Sequence, residues 1–455
     1  MKRTLLSLII GIGVSSSVIA DDLSQVYQQA LANDPLVNQA KAQRDAAYEG
    51  ISVSRANLLP QISATVGYSE STFERQQTLG NSQQIDIIQF EADNTSIDYG
   101  ISLDMSLFDY ANWIGLDRAE KVAEQSDAQY AASMQDLIVR TVTAYFDVLR
   151  ARDSVEFVRA EKRAIERQLE QTRQRFEVGL TAITDVHEAQ ANFDNTVAQE
   201  IQAENQLESA LEALRVITGK YHDKLYGLDT ESFSATQPTP VNVDDWLTMA
   251  EDKNLSLLVD RLAMDIAKED IEAARSGHYP TLTLSASKNR SKSETTSPLF
   301  ENKTPFLDDQ SIGVRLNVPI FQGLRVSSQT DQAKYQYIAA SQVAEQTYRQ
   351  TVQSVRSSYN NVKASISSIR ALEQAVVSAQ SALKATEAGF DVGTRTIVDV
   401  LDSTRNLFDA RRNLAGARYD FIQAVITLKQ AAGTLTKDDV EMVNRGLKPV
   451  SEENS

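Results

Sequence analysis

The chain has 455 residues, with 62 acidic against 45 basic side chains, a formal net charge of −17 and no cysteine. The negative balance argues against wrapping a phosphate backbone, so no nucleic-acid partner is expected; the missing cysteines exclude disulfides, thiolate nucleophiles, zinc fingers and an acylated N-terminal Cys. His187, His222 and His278 lie far apart and outside any HExxH pattern, so no metal site and no cofactor are expected and an enzyme is disfavoured.

Lys2 and Arg3, an apolar stretch from Leu5 to Ile12 and small residues ending at Ala20 read as a Sec signal peptide, residues 1–20. No later segment offers the roughly 18 uninterrupted apolar residues of a spanning helix. A helix is expected over about 23–57, then a strand over about 60–70, where Ile62, Ala64, Val66 and Tyr68 alternate with polar residues. After a polar loop over about 70–96, Ile101, Leu103, Met105 and Leu107 mark a second strand over about 97–109. No proline occurs between Pro60 and Pro238, and Gly179 is the only glycine between Gly115 and Gly219. Helices over about 111–177 and 184–216, meeting at that glycine, follow from the absence of breakers.

The same order returns further along. A helix is expected over about 243–277, strands over about 280–288 and 311–321 around a polar loop, helices over about 324–391 and 398–430, and a C-terminal segment over about 431–455. RFEVGLTAITDVHEAQANF from Arg175 matches GFDVGTRTIVDVLDSTRNL from Gly389, setting Gly179 on Gly393 and Asp185 on Asp399; Tyr145 and Tyr359 keep the same offset. Two copies of one unit, about 21–230 and 231–430, therefore make up the chain. Seven-residue rows such as Val400, Leu407, Leu414 and Phe421 give the helices coiled-coil packing. Strands of about ten residues cross a bilayer when tilted, although a soluble sandwich shows the same alternation. Four strands cannot close a bacterial barrel, which needs about eight, so a spanning sheet must be shared between chains.

VGTRTIVDVLD from Val392, RFEVGLTAITDV from Arg175 and VVSAQSAL from Val376, within similarity from Leu23 to about Val443, resemble the TolC family of outer-membrane efflux ducts. The resemblance implies a mostly α fold with a smaller β part: long coiled-coil helices form a trimeric α-helical barrel continuous with a shared twelve-stranded transmembrane β-barrel, and the C-terminal segment is equatorial and partly disordered. It implies a homotrimer in outer-membrane lipid, reaching into the periplasm. Inner-membrane pumps of the RND, ABC or MFS type, docked through a periplasmic adaptor protein, would expel drugs, bile salts or secreted proteins through it. The alternative reading, a periplasmic coiled-coil adaptor or scaffold, shares the heptads but should lack paired amphipathic strands.

Read alone, Asp399 has capping-box spacing from Thr396, whereas Asp402 lies beyond cap range. The resemblance makes both a cation-selective entrance ring. It sets Arg395 and Phe390 against Thr184 and Asp185, and Gln168 against Glu387, as contacts holding the entrance shut. Family members commonly carry Tyr at the position of Phe390, so the lost phenolic hydrogen bond leaves Arg395 to Asp185 with more of the closed state. The turn residues Val178, Gly179, Leu180, Val392, Gly393 and Thr394 are the expected adaptor-docking surface.

Overall fold

The computed structural model describes residues 21–81, 84–298 and 301–449. The expected signal peptide and residues 450–455 lie outside them. In chain order come α1 (Leu23–Asn33), α2 (Pro35–Ala56), β1 (Gln61–Asn81), β2 (Gln84–Phe108), α3 (Tyr110–Glu177) and α4 (Ile183–Thr218). Next are β3 (Gly227–Leu228), α5 (Val243–Lys253), α6 (Leu255–Arg275), β4 (Thr281–Thr296), β5 (Glu301–Lys303) and β6 (Leu307–Asn317). The chain ends with α7 (Arg325–Asp391), α8 (Ile397–Ala431), α9 (Lys437–Asn444) and β7 (Leu447–Lys448). The fold is mostly α with a smaller β part, and α3 and α7, at 68 and 67 residues, are each about 100 Å long at 1.5 Å per residue.

Backbone contacts divide the chain into two compact units, each drawing on both sequence repeats. The first comprises described residues 21–41, 128–258 and 346–449. Its core joins Leu23 and Tyr27 of α1, Tyr145 and Phe146 of α3, Val355 and Val362 of α7, and Ile426 and Leu428 of α8. Of the α8 row, Val400, Leu407 and Phe421 are buried and Leu414 packs partly buried beside them. Both helices expected as single pieces at the start of the repeats are broken. Asp34 ends α1 because it precedes Pro35, and a residue before proline is pushed out of the helical region; its ψ is 122°. Asn254, with ψ 119°, divides α5 from α6, and its Oδ1 accepts from Leu257 N at 3.0 Å. Within the described residues the C-terminal segment forms α9 and β7, the latter pairing with β3.

Between α3 and α8 of this unit, the Tyr419 hydroxyl donates to Asp153 at 2.5 Å. Burial pushes the Asp153 carboxyl up to about 6, against the lowering effect of that hydrogen bond. An acid whose folded pKa is raised favours folding when protonated, so stability falls as the pH rises from the ordinary Asp range near 3.9 towards about 6 and is then level. Asp153→Asn should therefore raise the thermal midpoint at pH 7.5, by about 1–2 kcal/mol of stability, and leave it unchanged near pH 4. Circular-dichroism melts at the two pH values decide this.

The second unit holds residues 42–127 and 259–345. Its antiparallel sheet runs β1-β2-β4, with β5 and β6 paired along the far side of β4. The register sets Ala64 beside Ile101, Leu103 beside Ala286 and Leu284 beside Val314. One face therefore carries the apolar residues, and Ser63, Ser102, Ser287 and Ser311 stand on the other, joined in pairs by hydroxyl hydrogen bonds of 2.8 and 2.9 Å. The polar stretch expected as a loop is strand in the described residues, β1 running to Asn81 and β2 starting at Gln84. Its polar side chains satisfy one another across the ladder, as in Thr72 to Asp93 at 2.7 Å and Gln89 to Glu74 at 3.0 Å. In contrast β6 stops at Asn317, before Val318 and Ile320, where Pro319 supplies no donor. Arg118 pairs with Asp270 and Lys121 with Glu269, both at 2.6 Å, tying α3 to α6. No helix of the described residues is long and apolar enough to cross a membrane.

Candidate functional site at the helical turns

The α3–α4 and α7–α8 connections have the same backbone. Gly179 and Gly393 both take φ +77°, a left-handed conformation that costs glycine little. Gly179 N bonds Phe176 O at 2.9 Å and Leu180 N bonds Arg175 O at 2.8 Å. Gly393 N bonds Phe390 O at 3.0 Å and Thr394 N bonds Gly389 O at 2.8 Å. Each is a Schellman ending, which satisfies the last carbonyls of a long helix and reverses the chain within a few residues. Val178, Leu180 and Val392 are each at least 70% exposed at these turns.

The helices that leave the turns differ. In α8 a capping box closes the N-terminus: Asp399 accepts from Thr396 N at 2.9 Å, and Thr396 Oγ1 accepts from Asp399 N at 3.3 Å. The Thr396 backbone hydrogen bond, reinforced by the Thr396 hydroxyl, holds the Asp399 carboxyl below the usual range and keeps it ionised. Asp402, one turn on and exposed, receives Arg405 Nη1 at 3.3 Å, while Arg405 Nη2 donates to Asn192 of α4 at 2.6 Å. Arg405 was not singled out by the sequence. In α4 the cap residue is Ala182, without a side-chain bond, and the Thr181 hydroxyl donates to Asp185 instead.

Of the expected closing contacts, the structure brings Phe390 onto α3 and α8. It is buried with Ile165, Leu169, Ile397 and Val400. Within the chain, however, Arg395 makes no hydrogen bond or ion pair with Asp185 or Thr184, nor Gln168 with Glu387, among the described residues. The physical reason for Arg395 is local: its side chain folds back over Gly389, where an added Cβ would stand 2.7 Å from Arg395 Cγ. Thr184 and Glu387 are exposed and Gln168 is half-buried. Among the described residues no cluster of three or more His, Asp or Glu side chains is placed to hold a metal ion.

Comparison with known proteins agrees with this architecture. The family model described as "Outer membrane efflux protein" matches residues 26–220 and 246–434. Outer membrane protein TolC of Vibrio cholerae serotype O1 is 49% identical over 435 residues, covering 96% of either chain. TolC of Escherichia coli K12 is 44% identical over 461 residues, covering 99% of this chain and 90% of the relative. Among solved structures, CusC superposes with a TM-score of 0.74 at 17% identity, over 91% of this chain and 92% of that one, which is a likeness of fold.

Proposed function

The chain belongs to the outer membrane efflux protein family, as an export channel of the outer membrane rather than an enzyme, and from that premise we propose that three copies close one barrel through β1 and β6. The observation that carries this is the sheet itself. Among the described residues it has an apolar face, a polar face and two strands, β1 and β6, that each pair with only one long neighbour. In lipid such edges must be satisfied, because an unpaired backbone group costs several kcal/mol where no water can reach it. The side chains of β6 from Leu307 to Asn317 are all exposed, and the β1 edge of a second copy would cover them. Twelve strands result from three chains, an even number within the bacterial range.

The glycine turns form the periplasmic entrance in this reading, with Asp399 and Asp402 as rings of carboxylates and Val178, Leu180 and Val392 as the surface offered to an adaptor protein. An inner-membrane RND, ABC or MFS pump would load the duct with drugs, bile salts or secreted proteins. The paired amphipathic strands are what a coiled-coil scaffold lacks, and the scaffold reading is set aside on that ground. Purified protein inserted into planar bilayers should conduct and prefer cations to anions. A protein that conducts without cation preference would contradict the entrance ring, and one that does not conduct would contradict the duct.

A further inference from the structure

We infer that Arg175 is the residue that positions the end of α7 against α3 and so holds the entrance shut, the part that the family resemblance gives to Arg395. The inference rests on the proposed entrance. The Arg175 guanidinium lies over the Phe390 ring, 4.5 Å from its centroid, and 3.7 Å from Asp391 Oδ1. A cation over an aromatic face is attracted by the ring quadrupole whether or not the ring carries a hydroxyl, so phenylalanine serves here as well as tyrosine. Phe390 is fixed from its other sides by the apolar cluster of α3, α4 and α8, and Arg175 side-chain exposure is only 29%. The cation therefore meets a ring with little freedom to turn away.

The contact joins two different hairpins, since Arg175 ends α3 and Phe390 ends α7. Any outward movement of α7 from α3 has to break it. Within one chain the alternative contact is not made: the stem of Arg395 lies over Gly389, and the Asp185 carboxylate is engaged by Thr181. The repeat makes the asymmetry visible, for Gly389 is the counterpart of Arg175 and Phe176 that of Phe390. Phe176 is 40% exposed, whereas Phe390 is buried. The cation thus stands at one of the two equivalent turns and the sheltered ring at the other.

The test uses full-length protein in planar bilayers, with single-channel conductance as the readout. Arg175→Ala should raise the open population by roughly fivefold, and Arg175→Lys, which keeps the charge but not the flat guanidinium, should recover part of the closure. Phe390→Leu should open the channel to the same degree as Arg175→Ala, and the double variant should open no further than either alone. If Arg175→Ala does not assemble, Arg175→Gln is read in its place. Wild-type conductance in Arg175→Ala together with a raised conductance in Arg395→Ser would overturn the inference. Additive opening in the double variant would overturn it as well. Trivalent-cation block separates the two levels: if Asp399→Asn with Asp402→Asn abolishes block while Arg175→Ala is silent, the latch is wrong and the entrance stands. If the asparagine pair leaves block untouched, the entrance reading fails and the latch fails with it.

Discussion

Asparagine at both Asp399 and Asp402 should weaken block of the channel by multivalent cations at least tenfold, roughly, because cation affinity at an oxygen site follows the number of charged ligands. The substitution separates charge from structure. Asp399 accepts the backbone N–H of Thr396 at 2.9 Å, and an asparagine oxygen can accept the same bond, so the helix keeps its cap. What disappears is the negative charge that threefold symmetry would bring together. The two positions should not contribute equally: Asp402 is partly neutralised by Arg405, so Asp399→Asn alone should cost more block than Asp402→Asn alone, and Arg405→Ala should strengthen it. Block should also fade as the pH drops through the depressed Asp399 pKa. Planar-bilayer titration with a trivalent cation measures each of these, and equal block in wild type and the double variant would reduce both residues to helix-capping and surface roles.

Asp34→Ala should be the most damaging single change in the helical unit, by about 3 kcal/mol. Arg140 grips the Asp34 carboxylate with two bonds, Nη1 at 2.8 Å and Nη2 at 3.1 Å, and Asp34 Oδ1 also accepts Val37 N at 2.9 Å, capping α2. The Asp34 side chain is 2% exposed. Removing it strands a guanidinium whose remaining partner is Asp136 at 2.7 Å and leaves the first turn of α2 uncapped. Burial acts to raise the Asp34 pKa, yet the Arg140 and backbone hydrogen bonds together hold it below the usual range. Its contribution is therefore present above the ordinary Asp pKa, about 3.9, and lost as the pH falls through the lower folded value. Thermal melts of wild type and variant should differ widely at neutral pH and converge in strong acid; a difference under about 1 kcal/mol at pH 7 would contradict the account.

Much of this arrangement was legible in the sequence because it follows from local rules. Long proline-free stretches gave α3 and α7, period-two alternation gave the apolar face of β1, β2 and β4, and the two glycines at equal repeat positions marked turns whose φ is +77° in both. The breaks at Asp34 and Asn254 were also written in the chain, one by the following proline and one by an Asx cap, but an unbroken helical composition masked them. Polar strand continuing through Thr72 and Glu74 was not legible, since cross-strand partners fifteen or more residues away in sequence satisfy those side chains. The tip shows the same limit more sharply. A resemblance can assign Arg395 a partner, whereas whether its side chain reaches that partner depends on Gly389 beneath it. Arg175 was one arginine among many on α3, and the repeat comparison that pairs it with a glycine is the signal that points to it.

The shared barrel is tested most directly by the mass of the assembled species, measured by native mass spectrometry on protein released from lipid nanodiscs. Three chains are expected, resistant to mild detergent and separating only on heating as the β1 and β6 edges part. A single chain in lipid would contradict the shared barrel, because four strands with both edges open cannot close, and a pair would contradict threefold closure, since it would make an eight-stranded barrel instead.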